Sequence, residues 1–210
     1  MPNDIPFELQ FAPQNVTFEQ MNAIIAFRTV WLEMSMWMRN FIYSFIDDHP
    51  RLAAVTDRLY VGVPLRFYNA LIVFYGTQIA EEYLNRISRI ILMFWQLVEA
   101  MKNGDQEEVN RVTVELYETA EQGAAFLASI NSYWDASVWR DLFTQFINMG
   151  IQVILSILQG NYENEIRVFD RIQDLAVVMG DYMARGILAS GLNQPASIIS
   201  PVNASTATIQ

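Results

Sequence analysis

The chain of 210 residues has no cysteine and only one histidine. Without cysteine it has no disulfide framework, no thiolate nucleophile and no cysteine-ligated zinc or iron–sulfur centre. The single histidine lies in Asp47-Asp48-His49-Pro50. Adjacent loop residues rarely converge on one ion, so a helix corner capped by Asp47 or Asp48 is favoured over a metal site. Diiron sites need two Glu-x-x-His motifs and hydrolytic triads need a partnered histidine, so both are excluded.

Basic residues and glycine-rich loops are also scarce. The chain has 13 Lys and Arg against 23 Asp and Glu, a net charge of -10, whereas nucleic-acid binding requires a basic surface. The nine glycines are scattered, mostly at predicted helix ends, and form no phosphate-binding loop. We therefore expect no nucleic-acid partner, no cofactor, no metal site and no catalytic residues, and predict that the protein is not an enzyme.

Signals for export or membrane insertion are weak as well. The N-terminal Met-Pro-Asn-Asp-Ile-Pro has neither a basic region nor an apolar core, so a cytoplasmic location is predicted. One uncharged stretch within the predicted helices, residues 142–162, is long enough to span a membrane but contains polar Thr, Gln, Asn and Ser throughout. This pattern favours a buried helix over a membrane span. Peripheral attachment is disfavoured because anionic lipids repel an acidic surface.

Helical periodicity dominates the rest of the chain and predicts an all-α fold. The predicted helices cover about residues 17–48, 51–76, 77–102, 105–129, 136–159 and 162–190. Thr17 with Gln20 predicts a capping box, Gly62 and Pro64 predict a kink, and Gly104 predicts a helix C-cap. Short connections indicate an up-and-down bundle of about six helices.

The predicted bundle spans residues 17–190 and is flanked by two segments of different composition. Residues 1–16 contain three prolines and predict an extended arm, while residues 191–210 carry no charge and predict a C-terminal tail. The hydrophobic fraction is 52% and the charged fraction only 17%. This is more apolar surface than one core of this size needs, and it favours a subunit interface.

The sixth predicted helix has the most regular charge pattern of the chain. Its members, spaced three or four residues apart, are Glu163, Arg167, Asp170, Arg171 and Asp174. Such a pattern is typical of a solvated helix face. A functional role would need Asp170 or Arg171 to face Arg39 or Glu33 of the first helix, and the sequence leaves that orientation open.

A set of residues at consistent spacing resembles a known family. They are Trp31, Trp37, Arg39, Gly76, Asn131, Tyr133, Trp134, Asn161, Tyr162 and Asp170. Over about residues 30–190 the chain is similar to small uncharacterised all-helical proteins of spore-forming Gram-positive bacteria, often labelled acetylglutamate kinase. That label is a mislabelling, because an amino-acid kinase would need strands and glycine-rich phosphate loops.

The resemblance also marks where this chain departs from the family. The family pattern has a histidine three residues after the tryptophan matching Trp31, and another in the third helix. Met34 and Ile90 occupy those places here. The resemblance therefore implies a divergent member whose scaffold matches and whose histidine chemistry does not carry over, with a dry interior beside Met34.

These observations lead to two functional hypotheses. The first is a structural protein that assembles into a homo-oligomer through aromatic-rich helix faces and the terminal segments. The alternative is a binding module that holds a small apolar ligand between helices. The sequence does not predict the order of the oligomer, or whether the tail packs on its own bundle or on a neighbour.

Overall fold

The computed structural model describes residues 17–191, and this range is helical apart from short connections. The α-helices are α1 (Phe18–Ile46), α2 (Leu52–Asp57), α3 (Val63–Asn103), α4 (Gln106–Ile130), α5 (Ala136–Leu158) and α6 (Tyr162–Ala189). A π-helical turn, Arg58–Gly62, joins α2 to α3. Residues 17–191 contain no strand, which confirms the all-α prediction for them. The predicted arm and the tail beyond Gly191 lie outside the described residues.

Helix α1 begins where its sequence predicts and ends two residues before the predicted end. The backbone N–H of Gln20 donates to Thr17 Oγ1 (3.2 Å) and that of Thr17 donates to Gln20 Oε1 (3.0 Å), which confirms the capping box. The helix ends at Ile46 rather than at residue 48, because Asp48 adopts a left-handed conformation (φ 49°). Lys102 Nζ donates to the Phe45 carbonyl (2.9 Å), which satisfies an acceptor at the helix end.

The six-helix prediction is confirmed at Gly76 and refined before it. Two helices meeting at Gly76 are expected, and the stretch from Val63 to Asn103 is indeed two helical segments joined at the non-helical Gly76. The kink predicted at Gly62 and Pro64 is a π-helical turn. Pro64 has no N–H to donate to the carbonyl of Tyr60, so a regular α-helix cannot continue through this point.

Gly76 reverses the direction of the chain within α3. Its backbone (φ 74°, ψ 179°) lies in a region that only glycine adopts readily. Tyr60 Oη donates to the Ile91 carbonyl (3.4 Å), and the rings of Phe67 and Tyr83 lie 5.6 Å apart. The part of α3 after Gly76 therefore runs back along the part before it.

The later helices begin and end at local signals. Gly104 (φ 72°) ends α3 in the left-handed conformation, as predicted. The N-cap side chains of α4, α5 and α6 accept hydrogen bonds from backbone N–H groups in the first turn; they are Asp105, Asp135 and Asn161. Each cap satisfies a donor that the helix leaves without an internal partner.

Consecutive long helices are antiparallel and enclose one apolar core. Helix α6 packs against α1 and α5, while α4 packs against α3 and α5. The core is rich in large aromatic rings: Trp31 lies 4.9 Å from Phe67 and 6.3 Å from Trp139. All three side chains are fully buried. Such rings contribute much of the apolar area that a bundle removes from water.

Two helical stretches, Leu52–Asn103 and Ala136–Leu158, are long and apolar enough to cross a membrane by length and composition alone. Core helices of water-soluble proteins meet the same criterion. More than half of the apolar window in Ala136–Leu158 is buried (56%), against 28% of the window in Leu52–Asn103. The stretch Leu52–Asn103 therefore leaves apolar side chains on the surface of the bundle. The cytoplasmic location stays a prediction.

Candidate functional site

One cluster of the residues that carry the family resemblance secures the connection between α4 and α5. Asn131 Nδ2 donates to Tyr75 Oη (2.8 Å), and Trp134 Nε1 donates to the Tyr182 carbonyl (3.2 Å). The Trp134 indole lies directly against Gly186, where a Cβ atom would overlap the ring. These contacts hold the connection against α3 and α6, which is a structural role. The neighbouring Tyr133 is exposed.

A second cluster joins α1 to α6 around a fully buried carboxylate. Arg39 Nε and Nη2 donate to the two oxygens of Glu165 (2.6 and 2.7 Å), and Tyr43 Oη donates to one of them (3.0 Å). The Arg39 guanidinium lies over the ring of Phe169, 4.5 Å from its centroid. The exposed Tyr162 ring stacks on Tyr43.

The electrostatics of this cluster favour a permanent ion pair. Hydrogen bonding to Glu165 raises the pKa of Arg39 above its ordinary value. Burial, followed by the hydrogen bond to Glu165, raises the pKa of Tyr43 to about 12. Both carboxylate oxygens already accept hydrogen bonds, so the cluster offers a ligand no unsatisfied acceptor. We interpret it as a structural ion pair that holds α6 against α1.

The sequence reasoning missed Glu165 and considered its neighbours instead. Asp170 and Arg171 are both exposed, so neither faces Arg39. Glu33 contacts a different pair of helical segments, accepting from Arg58 and Arg66. A signal for Glu165 was present in the spacing: it lies on the apolar stripe of α6 whose members are Val168, Phe169 and Ile172. A carboxylate on such a stripe predicts a buried partner.

Trp37 and the two residues at the places of the family histidines lie among other side chains of the bundle. Trp37 is half-buried, and the Arg58 guanidinium lies 5.4 Å from its ring centroid. Met34, at the place of a family histidine, is buried in the core, and Ile90 is half-buried.

The corner around His49 differs from its predicted form. His49 is exposed and its Nδ1 accepts from the Arg51 backbone N–H (3.1 Å). The expected capping by Asp47 or Asp48 does not occur: the N-cap of α2 is Arg51, which makes no side-chain cap bond, and Asp48 accepts from Lys102 (2.7 Å). Within residues 17–191, no group of three His, Asp or Glu side chains could hold a metal ion.

Two concave features lie between helices. A cavity of about 10 Å³ in the core is lined by residues that include Met38, Phe94 and Phe146. It has room for about one water molecule and not for an organic ligand. An open groove of about 580 Å³ runs between α3 and α4. In this groove the Arg86 guanidinium lies over the ring of Phe126, 4.5 Å from the centroid.

Large apolar side chains are exposed along the outside of α1 and on the neighbouring part of α3. On α1 they are Phe18 (72% exposed), Met21 (48%), Ile25 (53%) and Met36 (38%). Val73 of α3 is 75% exposed, and the adjacent Phe74 contacts Phe27 of α1 with ring centroids 6.0 Å apart. Contiguous apolar surface of this kind is typical of an interaction site.

Comparisons with known proteins add no relative. No protein-family profile, no curated protein and no solved structure matches the chain. The resemblance to the helical family of spore-forming bacteria stays a prediction.

Proposed function

We propose that this protein is a non-enzymatic helical-bundle protein with a structural role, which it performs by associating with further copies of itself. The observation that carries the proposal is the exposed apolar surface of α1 and α3, at Phe18, Met21, Ile25 and Val73. Single exposed apolar residues are ordinary, whereas several on one helix face call for a partner.

The polar groups of the bundle support a structural role. The buried carboxylate of Glu165 is held by Arg39 and Tyr43. The two oxygens of Glu33 accept hydrogen bonds from Arg58 and Arg66. Groups engaged in this way stabilise helix contacts and are not poised to transfer protons.

A second candidate function, binding of a small ligand, is favoured by one observation. The groove between α3 and α4 has the volume of a ligand pocket and combines the charged Arg86 with the apolar Ile79, Phe126 and Ile130. Its openness to solvent is unlike a site that encloses a small apolar molecule. A ligand that raises the melting temperature of the wild type and not that of Arg86→Ala would support this function.

The experiment that tests self-association is the mass in solution by light scattering. It compares the full chain with a version that ends after Ser190, at several micromolar concentrations. A full-length mass of two or more chains supports the proposal, and a monomer at every concentration overturns it. A truncated version that becomes monomeric assigns the contact to the tail, whereas one that remains associated assigns it to the bundle.

A further inference from the structure

The connection between α3 and α4 contains the only Asn-Gly pair of the chain, Asn103-Gly104. Asn103 is the last residue of α3, and both residues are exposed. Asparagine is a thermolabile residue. It is most prone to lose ammonia before glycine, because glycine has no Cβ atom to keep the asparagine side chain away from the next backbone nitrogen. This corner therefore combines a labile pair with access to water.

The loss of ammonia needs only these two residues and water. The backbone nitrogen of Gly104 loses its proton to water or hydroxide and attacks Cγ of Asn103, so that a new C–N bond forms. The C–N bond of the side-chain amide breaks, and the amide nitrogen takes up a proton and leaves as ammonia. Water then opens the resulting succinimide ring at either of its carbonyl groups. The products at position 103 are aspartate and isoaspartate.

The C-cap of α3 restrains this reaction in the folded chain. The Gly104 N–H donates to the Met101 carbonyl (3.3 Å), and the Asp105 N–H donates to the Ala100 carbonyl (3.0 Å). The Gly104 nitrogen cannot attack while it is held in this turn, so the turn must open first. Opening of an exposed helix end costs far less free energy than unfolding of the whole domain. The reaction is therefore limited by one local opening.

Conversion would change a corner that joins three helices. Lys102 Nζ donates to the Phe45 carbonyl (2.9 Å) at the end of α1, and Asp105 is the N-cap of α4. A carboxylate at position 103 places negative charge beside the last carbonyl groups of α3, which the helix dipole disfavours. Isoaspartate also adds one atom to the main chain, so the two cap hydrogen bonds of α3 cannot both keep their geometry.

We infer that Asn103 is a site of spontaneous covalent modification, at which opening of the last turn of α3 lets Gly104 convert the asparagine to aspartate and isoaspartate. The modified residue loosens the corner where α3 meets α4 and the end of α1. This inference is independent of the proposed self-association.

Incubation of the full chain at mildly alkaline pH, followed by peptide mapping, tests the site. Asn85 is the internal control, because it is exposed on the same helix and precedes Arg86 instead of glycine. Asn103 should convert at least about ten times faster than Asn85. Labelling with an isoaspartyl methyltransferase identifies isoaspartate among the products.

A parallel incubation in urea gives the rate of the opened chain. Conversion of Asn103 in the folded protein, more slowly than in urea, supports a reaction limited by local opening. An Asn103 that stays intact in the folded protein while it converts in urea overturns the inference, and so do equal rates at Asn103 and Asn85.

Two glycine substitutions separate the attack from backbone strain. Gly104 and Gly160 both have positive φ (72° and 69°), and at neither would an added Cβ atom lie within 4 Å of an atom of residues 17–191. Both changes to alanine therefore strain a helix end in the same way, but only Gly104→Ala hinders the attack on Asn103. It should slow conversion about tenfold or more, whereas Gly160→Ala should leave the rate unchanged. Equal rates in the two variants would contradict the mechanism.

Conservative changes at position 103 test the consequence without depending on a glycine variant. Asn103→Asp reproduces one product, and Asn103→Gln keeps an uncharged amide that closes a ring much less readily. Asn103→Asp should melt at a lower temperature than the wild type, while Asn103→Gln should melt with the wild type and stay unmodified. Thermal unfolding followed by circular dichroism measures both. Equal melting temperatures of the two variants would overturn the loosening of the corner.

Discussion

The carboxylate of Glu165 is buried without exposure to water, although most of the other charged residues of its helix are exposed. Its two hydrogen bonds from Arg39 and one from Tyr43 compensate the loss of hydration. At the scale of single residues, the bundle should therefore be sensitive to a small chemical change at Glu165.

Replacing Glu165 with alanine should lower the free energy of unfolding by about 3 kcal/mol or more, because the partly buried Arg39 loses its counterion. Asp170→Ala is the matched control: Asp170 is exposed on the same helix, so its loss should cost about 0.5 kcal/mol or less. Urea denaturation followed by circular dichroism measures both. Equal effects of the two substitutions would contradict the structural role assigned to the ion pair between Glu165 and Arg39.

Two half-buried tyrosines predict a loss of stability at alkaline pH. Burial raises the pKa of both Tyr43 and Tyr75 from 10.0 to about 12. A phenol whose pKa is raised by folding binds its proton more tightly in the folded chain, so its contribution to stability is complete below pH 10 and is lost as the pH rises toward about 12. The free energy of unfolding should therefore fall across this window. Double replacement by Phe should flatten the fall, and an unchanged slope would contradict the assignment.

At the scale of helices, the contact between α1 and α6 depends on a close approach of two backbones. A Cβ atom at Gly180 would lie 2.6 Å from Arg28 Cα and 2.7 Å from its backbone nitrogen. Backbone atoms cannot rotate away as a side chain can, so any side chain here separates the helices. Gly123 in α4 differs, since its Cβ would lie 3.6 Å from the nearest atom, in the Phe143 ring.

Gly180→Ala should lower the free energy of unfolding by about 1 to 3 kcal/mol through overpacking. Gly123→Ala should raise it by about 0.5 to 1 kcal/mol, since alanine is the better helix former and its methyl group fits. Thermal and urea unfolding give the two values. The same sign for both substitutions would show that the close approach of α1 and α6 does not limit stability.

The segment from α2 through α3 also shows how local chemistry shapes an element. Pro64 interrupts the α pattern and a π-helical turn precedes it, while Gly76 supplies a conformation that reverses the chain. Both residues were marked by the sequence as interruptions. The reversal at Gly76 follows from the predicted up-and-down order of the helices. Whether Pro64 would bend or widen the helix depended on what the flanking segments pack against, namely α1 and the later part of α3.

At the scale of the whole molecule, the balance of charge opposes any association between copies. Each copy carries a net charge of -10, and the proposed contact is apolar. We therefore expect repulsion between copies to be the main electrostatic contribution to the dissociation constant of the proposed contact.

Association should strengthen with ionic strength. Raising sodium chloride from about 0.05 M to about 0.5 M shortens the screening length and should lower the dissociation constant of the proposed self-association. Sedimentation equilibrium across this range measures the trend. The control is Ile25→Lys, which places a charge on the exposed apolar face of α1 and should weaken association at every salt concentration. Weaker association of the wild type at high salt would instead indicate an interface held by ion pairs, which contradicts an apolar contact.

By itself, the sequence determined the helical fold and many of the helix ends, because these follow from interactions between residues close in the chain. Thr17 and Gln20 cap α1, and Gly104 ends α3, as their types and spacing predict. The tertiary structure alone decided which charged residue of α6 meets Arg39, since that depends on the rotation of α6 against α1. It likewise decided that Phe18 and Ile25 face outward, because periodicity marks an apolar face without stating what covers it.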